Sequence, residues 1–501
     1  MFIRTRLQKS GKTSVQIIDK SSGSSKVIKT IGCTSDQDRL NRFIQEAEEF
    51  VQAYNGQQVF DFTDYNKIYQ QVFSSIISHT LIGIQLTVGK VFDEIGFNQI
   101  EDALFKDLVL YRLVYPKSKL RTTEYLFRYE QKQYSEDDVY RYMDKLQSTQ
   151  KRQVEQISYT HSKKVLGGEI KIVFYDVTTL YFEVDKEDDL RKTGFSKDGK
   201  HQHPQIVLGL LVSTNGYPLA YEIFQGNQFE GQTMIPIIDT FKVKYELTQL
   251  IVVADSGLLS RSNMDALIEK KYEFILGARI KNESRLIKER ILSLKLDNGG
   301  SEIISKGDMQ LIITYSQDRA KKDQYNREKG VKRLEKQIKS GKLTKAQLNK
   351  RGYNKFLRLD GDVSVQLDKS KIKEDAAWDG LKGYLTNASL SKDEVIENYN
   401  HLWQIEKAFR VAKSELKIRP IFHRLQRRIE AHVCLNFVAY KVFKEMERQL
   451  KELGTTYSPE KIIDIAKNIY EIRAIKPDHT QIRQILLLTD EQKDVARLFK
   501  F

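Results

Sequence analysis

The sequence predicts an α/β fold, and three observations carry that prediction. Glu169–Glu183 (EIKIVFYDVTTLYFE) alternates with a period of two, placing Ile170, Ile172 and Phe174 on one face and Val173, Tyr175 and Val177 on the other. Two further apolar runs, Ile206–Thr214 and Leu219–Gln225, flank Asn215-Gly216, a pair that favours the tight turn of a hairpin. Gln249–Gly257 (QLIVVADSG) is a continuous apolar run of the kind that fills a strand covered on both faces. Helical patterns at Gly231 to Glu246 and Asn263–Lys270 separate these runs from one another and from a last strand at Tyr272–Ala278.

Three strands, helix, strand, helix, strand is the order of an RNase H-like core. Residues 167–279 are expected to form its first part and 391–450 its second. Two aspartates stand out within it. Asp176 interrupts the face begun by Ile170, Ile172 and Phe174, which should be buried, and Asp255 ends its own strand before Ser256-Gly257 turns the chain. An aspartate at a strand end is commonly a turn former, but the strand ends of an α/β sheet are also where ligand sites form. A third acid lies on the helix expected over Ser391–Lys413 (SKDEVIENYNHLWQIEKAFRVAK). Ser391 and Glu394 have capping-box spacing, and no Pro or Gly follows before Pro420. Tyr399, Glu406 and Lys413 recur every seventh residue along about 20 Å of helix, with Trp403 and Arg410 beside them. By itself this stripe reads first as a solvated face with i,i+4 charge pairs. Three converging carboxylates, however, need positive charge to stand together, and hard oxygen ligands suit Mg²⁺ or Mn²⁺.

From about Ile170 to Tyr440 the chain resembles the DDE transposase domain of bacterial insertion sequences, in the branch with a Tyr-x2-Arg-x3-Glu-x6-Lys signature. Tyr399, Glu406 and Lys413 fit the signature in type and spacing, while Leu402 stands at the arginine position. FYDVTTLYFE, PQIVLGLLVSTNGYPLAYEIFQGNQFEGQT, VVADSGLLS and KIRPIFHRLQRRIEAHVCLNF are similar to the family in the same order. The resemblance implies the RNase H-like fold again. It implies Asp176, Asp255 and Glu406 as catalytic residues and ligands of two divalent ions, Mg²⁺ with Mn²⁺ as the alternative. It also implies cleavage at terminal inverted repeats followed by strand transfer, in a homodimer that pairs two DNA ends. Tyr399, Trp403, Arg410 and Lys413 become DNA contacts; Trp403 either stacks on an extruded base or belongs to the core. Two rival readings are a nuclease of the same fold that only hydrolyses, and a DNA-binding protein derived from a transposase.

The interval 280–390 reads as an insertion, with strands at Glu302–Ser305, Met309–Tyr315 and Val363–Leu367. Within it Asp318–Lys355 holds 14 Lys or Arg against 4 Asp or Glu, in a chain whose net charge is +15. Val331, Leu334 and Ile338 mark the apolar edge of a basic helix, and Lys332, Arg333 and Lys336 are its expected DNA contacts. The first 60 residues read as a small segment of three short strands and an amphipathic helix. Residues 61–166 read as a helical DNA-end-binding region. There Lys117, Lys119 and Arg121 lie at a helix–helix junction that fits a helix-turn-helix or an ordinary helical hairpin with a basic corner. Residues 451–501 are expected to be a helical tail.

Composition narrows the classes. No stretch approaches the roughly 18 unbroken apolar residues of a membrane span, and the N-terminus lacks a signal-peptide run. Two cysteines are too few for a disulfide scaffold or a cysteine-rich zinc site. A cytoplasmic protein without membrane partners is expected. No P-loop or dinucleotide fingerprint is present, so no nucleotide cofactor is implied. His201 and His203 form the one tempting imidazole pair, and a polar loop is the preferred reading.

Overall fold

The computed structural model describes residues 1–21, 23–54, 65–184, 186–196, 199, 202–258, 260–340, 352–360, 364–476 and 478–501. Two units are formed, one by residues 1–77 with 474–481 and the other by 78–473 with 482–501. The first opens with β1 (Phe2–Leu7), β2 (Thr13–Asp19) and β3 (Lys26–Thr34), antiparallel in that order, followed by α1 (Gln37–Tyr54). Val15 and Ile17 alternate inward from β2 and bury against Ala47 of α1, as the amphipathic pattern predicts. α2 (Tyr65–Ser74) completes the helices of this unit.

The chain continues through β4 (Ile76–Leu81) into five helices: α3 (Lys90–Ile95), α4 (Ala103–Val114), α5 (Lys119–Glu130), α6 (Glu136–Lys145) and α7 (Lys151–Val165). Asp102, Ser118 and Ser135 cap α4, α5 and α6, each accepting a backbone N–H of the first turn. Next come β5 (Ile172–Tyr181), β6 (Gln205–Ser213), β7 (Pro218–Gln225), α8 (Met234–Lys244), β8 (Ile251–Ala254), α9 (Arg261–Glu269) and β9 (Glu273–Ala278), the element order read from the sequence. β5 pairs antiparallel with β6, and β6 with β7; β5, β8 and β9 run parallel.

The sheet does not stop at β9. After α10 (Arg285–Ser293), the strands β10 (Ser301–Lys306) and β11 (Met309–Tyr315) precede α11 (Gln317–Lys339), β12 (Leu357–Asp360), β13 (Ser364–Leu367), α12 (Lys369–Ala376) and β14 (Leu381–Thr386). β14 pairs antiparallel with both β9 and β11, giving one mixed eight-stranded sheet in the order β10-β11-β14-β9-β8-β5-β6-β7. The stretch expected as a separate insertion is therefore split. Three of its strands satisfy their backbone groups on the edge that β9 would otherwise leave open. Helix α11 with β12, β13 and α12 forms a smaller core around Leu334, Phe356 and Leu357, with Val331 and Ile338 packed on it as the sequence pattern indicates. Residues 341–351 of the basic segment lie outside the described residues.

One face of the large sheet is covered by α8, α9 and α10 through Ile237, Ile238, Phe241, Leu267 and Ile291. The other is covered by α13 (Lys392–Asn400), α14 (Trp403–Ser414) and the 27-residue α15 (Gln426–Glu452), which is buried on every face over residues 431–446. The expected single helix over Ser391–Lys413 is thus two helices. Tyr399, Leu402 and Ile405 are all buried and spaced by three. Hydrogen bonds from Leu402 N–H to Tyr399 O (3.0 Å) and from Ile405 N–H to Leu402 O (3.2 Å) tighten the chain into a three-residue turn that suits this spacing. The C-terminal segment, expected to be helical throughout, holds α16 (Pro459–Ala466) and α17 (Asp490–Phe499) but also β15 (Tyr470–Ile475) and β16 (Gln481–Leu486). Buried Glu471 of β15 accepts from Arg473 at 2.6 Å and also from Arg483 of β16. This pairing of charges across two strands is a non-local feature that the expectation of a helical tail does not include.

Candidate active site

The sheet register places the two aspartates. Phe174 of β5 pairs with Val253 of β8, and Tyr175 with Ala254. One step beyond these pairs, Asp176 and Asp255 occupy neighbouring positions on adjacent parallel strands, whose backbones run about 5 Å apart. Phe174 and Val253, two residues earlier on the same faces, belong to the core beneath α13 and α14. Both carboxylates therefore emerge on the side covered by the helix that carries Glu406. Asp176 is half-buried and accepts the Val177 N–H at 2.7 Å. Asp255 is exposed and accepts the Gly257 N–H, the hydrogen bond of an ordinary Asp turn.

Tyr399 links the strand ends to the helix. Its ring is 8% exposed, lies edge-on to Tyr384 with centroids 4.8 Å apart, and has the Lys382 ammonium 4.4 Å from its centroid. A Cβ on Gly277 would lie 2.3 Å from the Tyr399 hydroxyl and 2.9 Å from the Ser256 N, so the phenol fills the space this glycine leaves beside the end of β8. Burial holds the phenol above its ordinary pKa, and the charges of Asp255 and, more weakly, Glu406 add to the shift. It remains a neutral donor near both acids. Tyr399, expected as a DNA contact, is corrected: its ring belongs to the core.

Positive charge reaches the same place from elements the motif does not include. Burial lowers the Lys382 pKa, the Arg319 guanidinium lowers it further, and Glu406 opposes both. Arg279 donates to the carbonyls of Ser256 (2.9 Å) and Gly257 (3.2 Å), clasping the turn that follows Asp255. Lys382 carried a sequence signal of the same kind as Asp176, a charge on the row that Tyr384 occupies in an apolar strand. Arg319 and Arg279 had none, since their place depends on long-range pairing. Leu402 is buried, so the position where the signature has arginine contributes packing here.

The remaining candidates divide by exposure. Trp403 is 50% exposed at the start of α14, with Lys407 over its ring at 6.0 Å, which excludes a core role. Glu406 and Arg410 are exposed and Lys413 is half-buried on the same helix. Lys332, Arg333 and Lys336 are exposed along α11. Arg327 of that helix is instead held by Asp379 in a bidentate pair at 2.5 and 2.6 Å. At the α4–α5 junction Lys117 is exposed and Arg121 pairs with Glu124. Lys119 is corrected as a residue of an exposed basic corner: it is 5% exposed, turned in beside Arg112. His201 lies outside the described residues. Among the described residues, no three acids, histidines or cysteines already stand together as a set of metal ligands, and no helix is long and apolar enough to cross a membrane.

A mixed sheet with paired aspartates at adjacent strand ends, beneath a helix carrying a third acid, defines an α/β protein with an acidic pole under a basic and aromatic rim. The transposase DDE domain profile matches residues 167–441, more than half of the chain, and the chain belongs to that family. The matched span contains Asp176, Asp255 and Glu406. Comparison with curated proteins gave no match. Among solved structures, a piggyBac transposase synaptic complex with hairpin DNA is similar at 10% identity over 77% of this chain and 76% of that one, with a TM-score of 0.38. A Mos1 mariner paired-end complex with Mn is similar at 15% identity over 36% and 57%, with a TM-score of 0.15. Both likenesses are too low to carry an argument.

Proposed function

We propose that the chain is the DNA transposase of an insertion sequence, built on an RNase H-like core. In this reading it binds terminal inverted repeats, cuts DNA at the element's ends and joins the freed 3′-OH to target DNA. The observation that carries it is the placement of Asp176 and Asp255 on adjacent parallel strand ends, under the helix that bears Glu406. Membership of the transposase DDE family and the β7-β6-β5-β8-β9 portion of the sheet support it.

Two neighbouring carboxylates on rigid strands, with a third on the covering helix, fit a hard divalent cation in kind, and Asp176, Asp255 and Glu406 would hold two such ions, Mg²⁺ or Mn²⁺. When bound, the ions supply Lewis acidity to the attacking and leaving oxygens of an in-line phosphoryl transfer. The chain's own residues do the rest. Tyr399, kept protonated, fixes the spacing between the Asp255 turn and α14. Lys382 and Arg319 offset the negative charge that gathers when a phosphodiester approaches three acids. Trp403, Arg410 and Lys413 contact DNA along α14, and the 61–166 helices bind the transposon end. Two copies, one for each end, form the working assembly.

The test is incubation of the purified protein with Mg²⁺ and a labelled duplex carrying the repeat that flanks the gene. The expected product is a strand cut at the repeat boundary with a 3′-OH, and joined products appear when target DNA is added. Cutting without joining would select the hydrolytic nuclease, and binding of correctly paired ends without cutting would select a non-catalytic DNA-binding protein.

The basic helix gives a separate prediction. Replacing Lys332, Arg333 and Lys336 together by Ala lowers the slope of log affinity against log salt by about two to three units if each neutralises one phosphate. Replacing Arg327 by Ala leaves the slope unchanged and lowers the melting temperature, because that guanidinium is already committed to Asp379. An unchanged slope in the triple variant would remove α11 from the DNA interface.

A further inference from the structure

A second cationic site lies away from the three acids, where α4, α5 and α15 meet. Arg112 of α4 is 6% exposed, Lys119 of α5 is 5% exposed and His432 of α15 is 5% exposed. The His423 ring lies tilted beside that of His432, ring centroids 5.4 Å apart. Among the described residues neither the Arg112 guanidinium nor the Lys119 ammonium has an ion-pair or hydrogen-bond partner, and the Arg112 Nε is fully enclosed and unsatisfied. His432 uses Nε2 on the Ile418 carbonyl at 2.9 Å, leaving Nδ1 enclosed and unpartnered.

The groups are brought together because α4 packs against both α5 and α15. Arg112 lowers the Lys119 pKa, already well down through burial. Burial pushes His423 to about 3, with Lys119, Arg112 and Arg428 adding to the shift. No carboxylate offsets either of these two shifts. The nearby acid, Asp144, is engaged by Arg427 at 2.9 Å and Arg428 at 3.1 Å. Lys119 is also the first residue of the 12-residue α5, so the positive end of that helix lies at the same point.

Buried arginine and lysine side chains without counter-charge are strongly unfavourable unless something anionic completes them. A planar guanidinium beside an ammonium, with N–H donors that have no partner in the protein, matches a tetrahedral oxyanion. We propose that Arg112 and Lys119 form a binding slot for one phosphate group. The phosphate comes either from a DNA backbone or from free inorganic phosphate. The slot is independent of the acidic site and of the reading of that site as a transposase centre.

The experiment is equilibrium dialysis of the full-length protein with radiolabelled inorganic phosphate at constant ionic strength in chloride, beside Lys119→Met and Arg112→Met. Lys119→Met replaces a buried ammonium with an apolar chain of similar shape, so it folds at least as well as the parent. The expected result is saturable binding of one phosphate per chain, weakened about tenfold or more in both variants. No saturable binding by the unmodified protein overturns the slot, as does equal binding by Lys119→Met. Adding an unlabelled duplex of arbitrary sequence then decides the source. Displacement of phosphate, with Lys119→Met lowering the salt slope of duplex binding by about one unit, identifies a backbone phosphate. Phosphate retained at saturating duplex identifies free phosphate as the occupant.

Discussion

Asp176→Asn, Asp255→Asn and Glu406→Gln each lower metal-dependent DNA cleavage by about a thousandfold or more, while end binding changes by less than about threefold. The magnitude follows from the charge removed. Each substitution keeps shape and one oxygen but replaces an anionic ligand with a neutral amide, and a loss of about 4 kcal/mol at the transition state corresponds to roughly a thousandfold. Binding is spared because none of the three offers a positive charge to DNA. Folding is spared because Asp255 and Glu406 are exposed, and because an Asn at position 176 keeps the side-chain oxygen that accepts the Val177 N–H. The three variants are expected to melt within a few degrees of the parent and to elute alike. A variant that loses binding and cleavage together has a structural acid at that position. A variant that cleaves normally removes that residue from the site.

That prediction rests on residues legible before any coordinates. Asp176 was visible as a break in an apolar alternation and Asp255 as the end of a buried run; both are local signals, and the parallel register then brings them side by side. The β5 to β9 order was equally legible, because each strand there is strongly apolar and bounded by turn residues. What the sequence could not convey was long-range pairing. β14 is not among the strands expected from the sequence, and only its hydrogen bonds to β9 and β11 show that it belongs to the main sheet and brings Lys382 over Tyr399. Lys119 misled for the complementary reason: a lysine at a helix start, three residues after a proline, reads as surface, whereas α5 packs so that this side chain turns inward. The break at His401-Leu402 escaped because every residue there is helix-compatible. Only the depth of Tyr399, Leu402 and Ile405 shows that the chain tightens to bury all three.

Gly277→Ala is expected to be the most damaging methyl group that can be added near the site. Its Cβ would meet the Tyr399 hydroxyl at 2.3 Å, the Tyr399 Cζ at 3.2 Å and the Ser256 N at 2.9 Å. Real side chains do not tolerate the first distance, so either Tyr399 withdraws or β9 shifts from β8. Overpacking of this kind costs about 1–3 kcal/mol. A displacement of about 1 Å at a reacting centre costs on the order of a hundredfold in rate, and the Ser256 turn that would move is attached directly to Asp255. The cause can be separated from general damage by a double-mutant cycle. Tyr399→Phe removes the hydroxyl that collides, so the pair Gly277→Ala with Tyr399→Phe recovers part of the stability lost by Gly277→Ala alone, with a coupling of about 1 kcal/mol. Recovery is incomplete, because the contact with the Ser256 N is backbone and stays. Denaturant melts of the four proteins measure the coupling, and cleavage rates measure the displacement of Asp255. Additive stabilities within about 0.3 kcal/mol would mean that the Tyr399 hydroxyl does not occupy the space above Gly277, and that the spacing between the Asp255 turn and the Glu406 helix is set by something else.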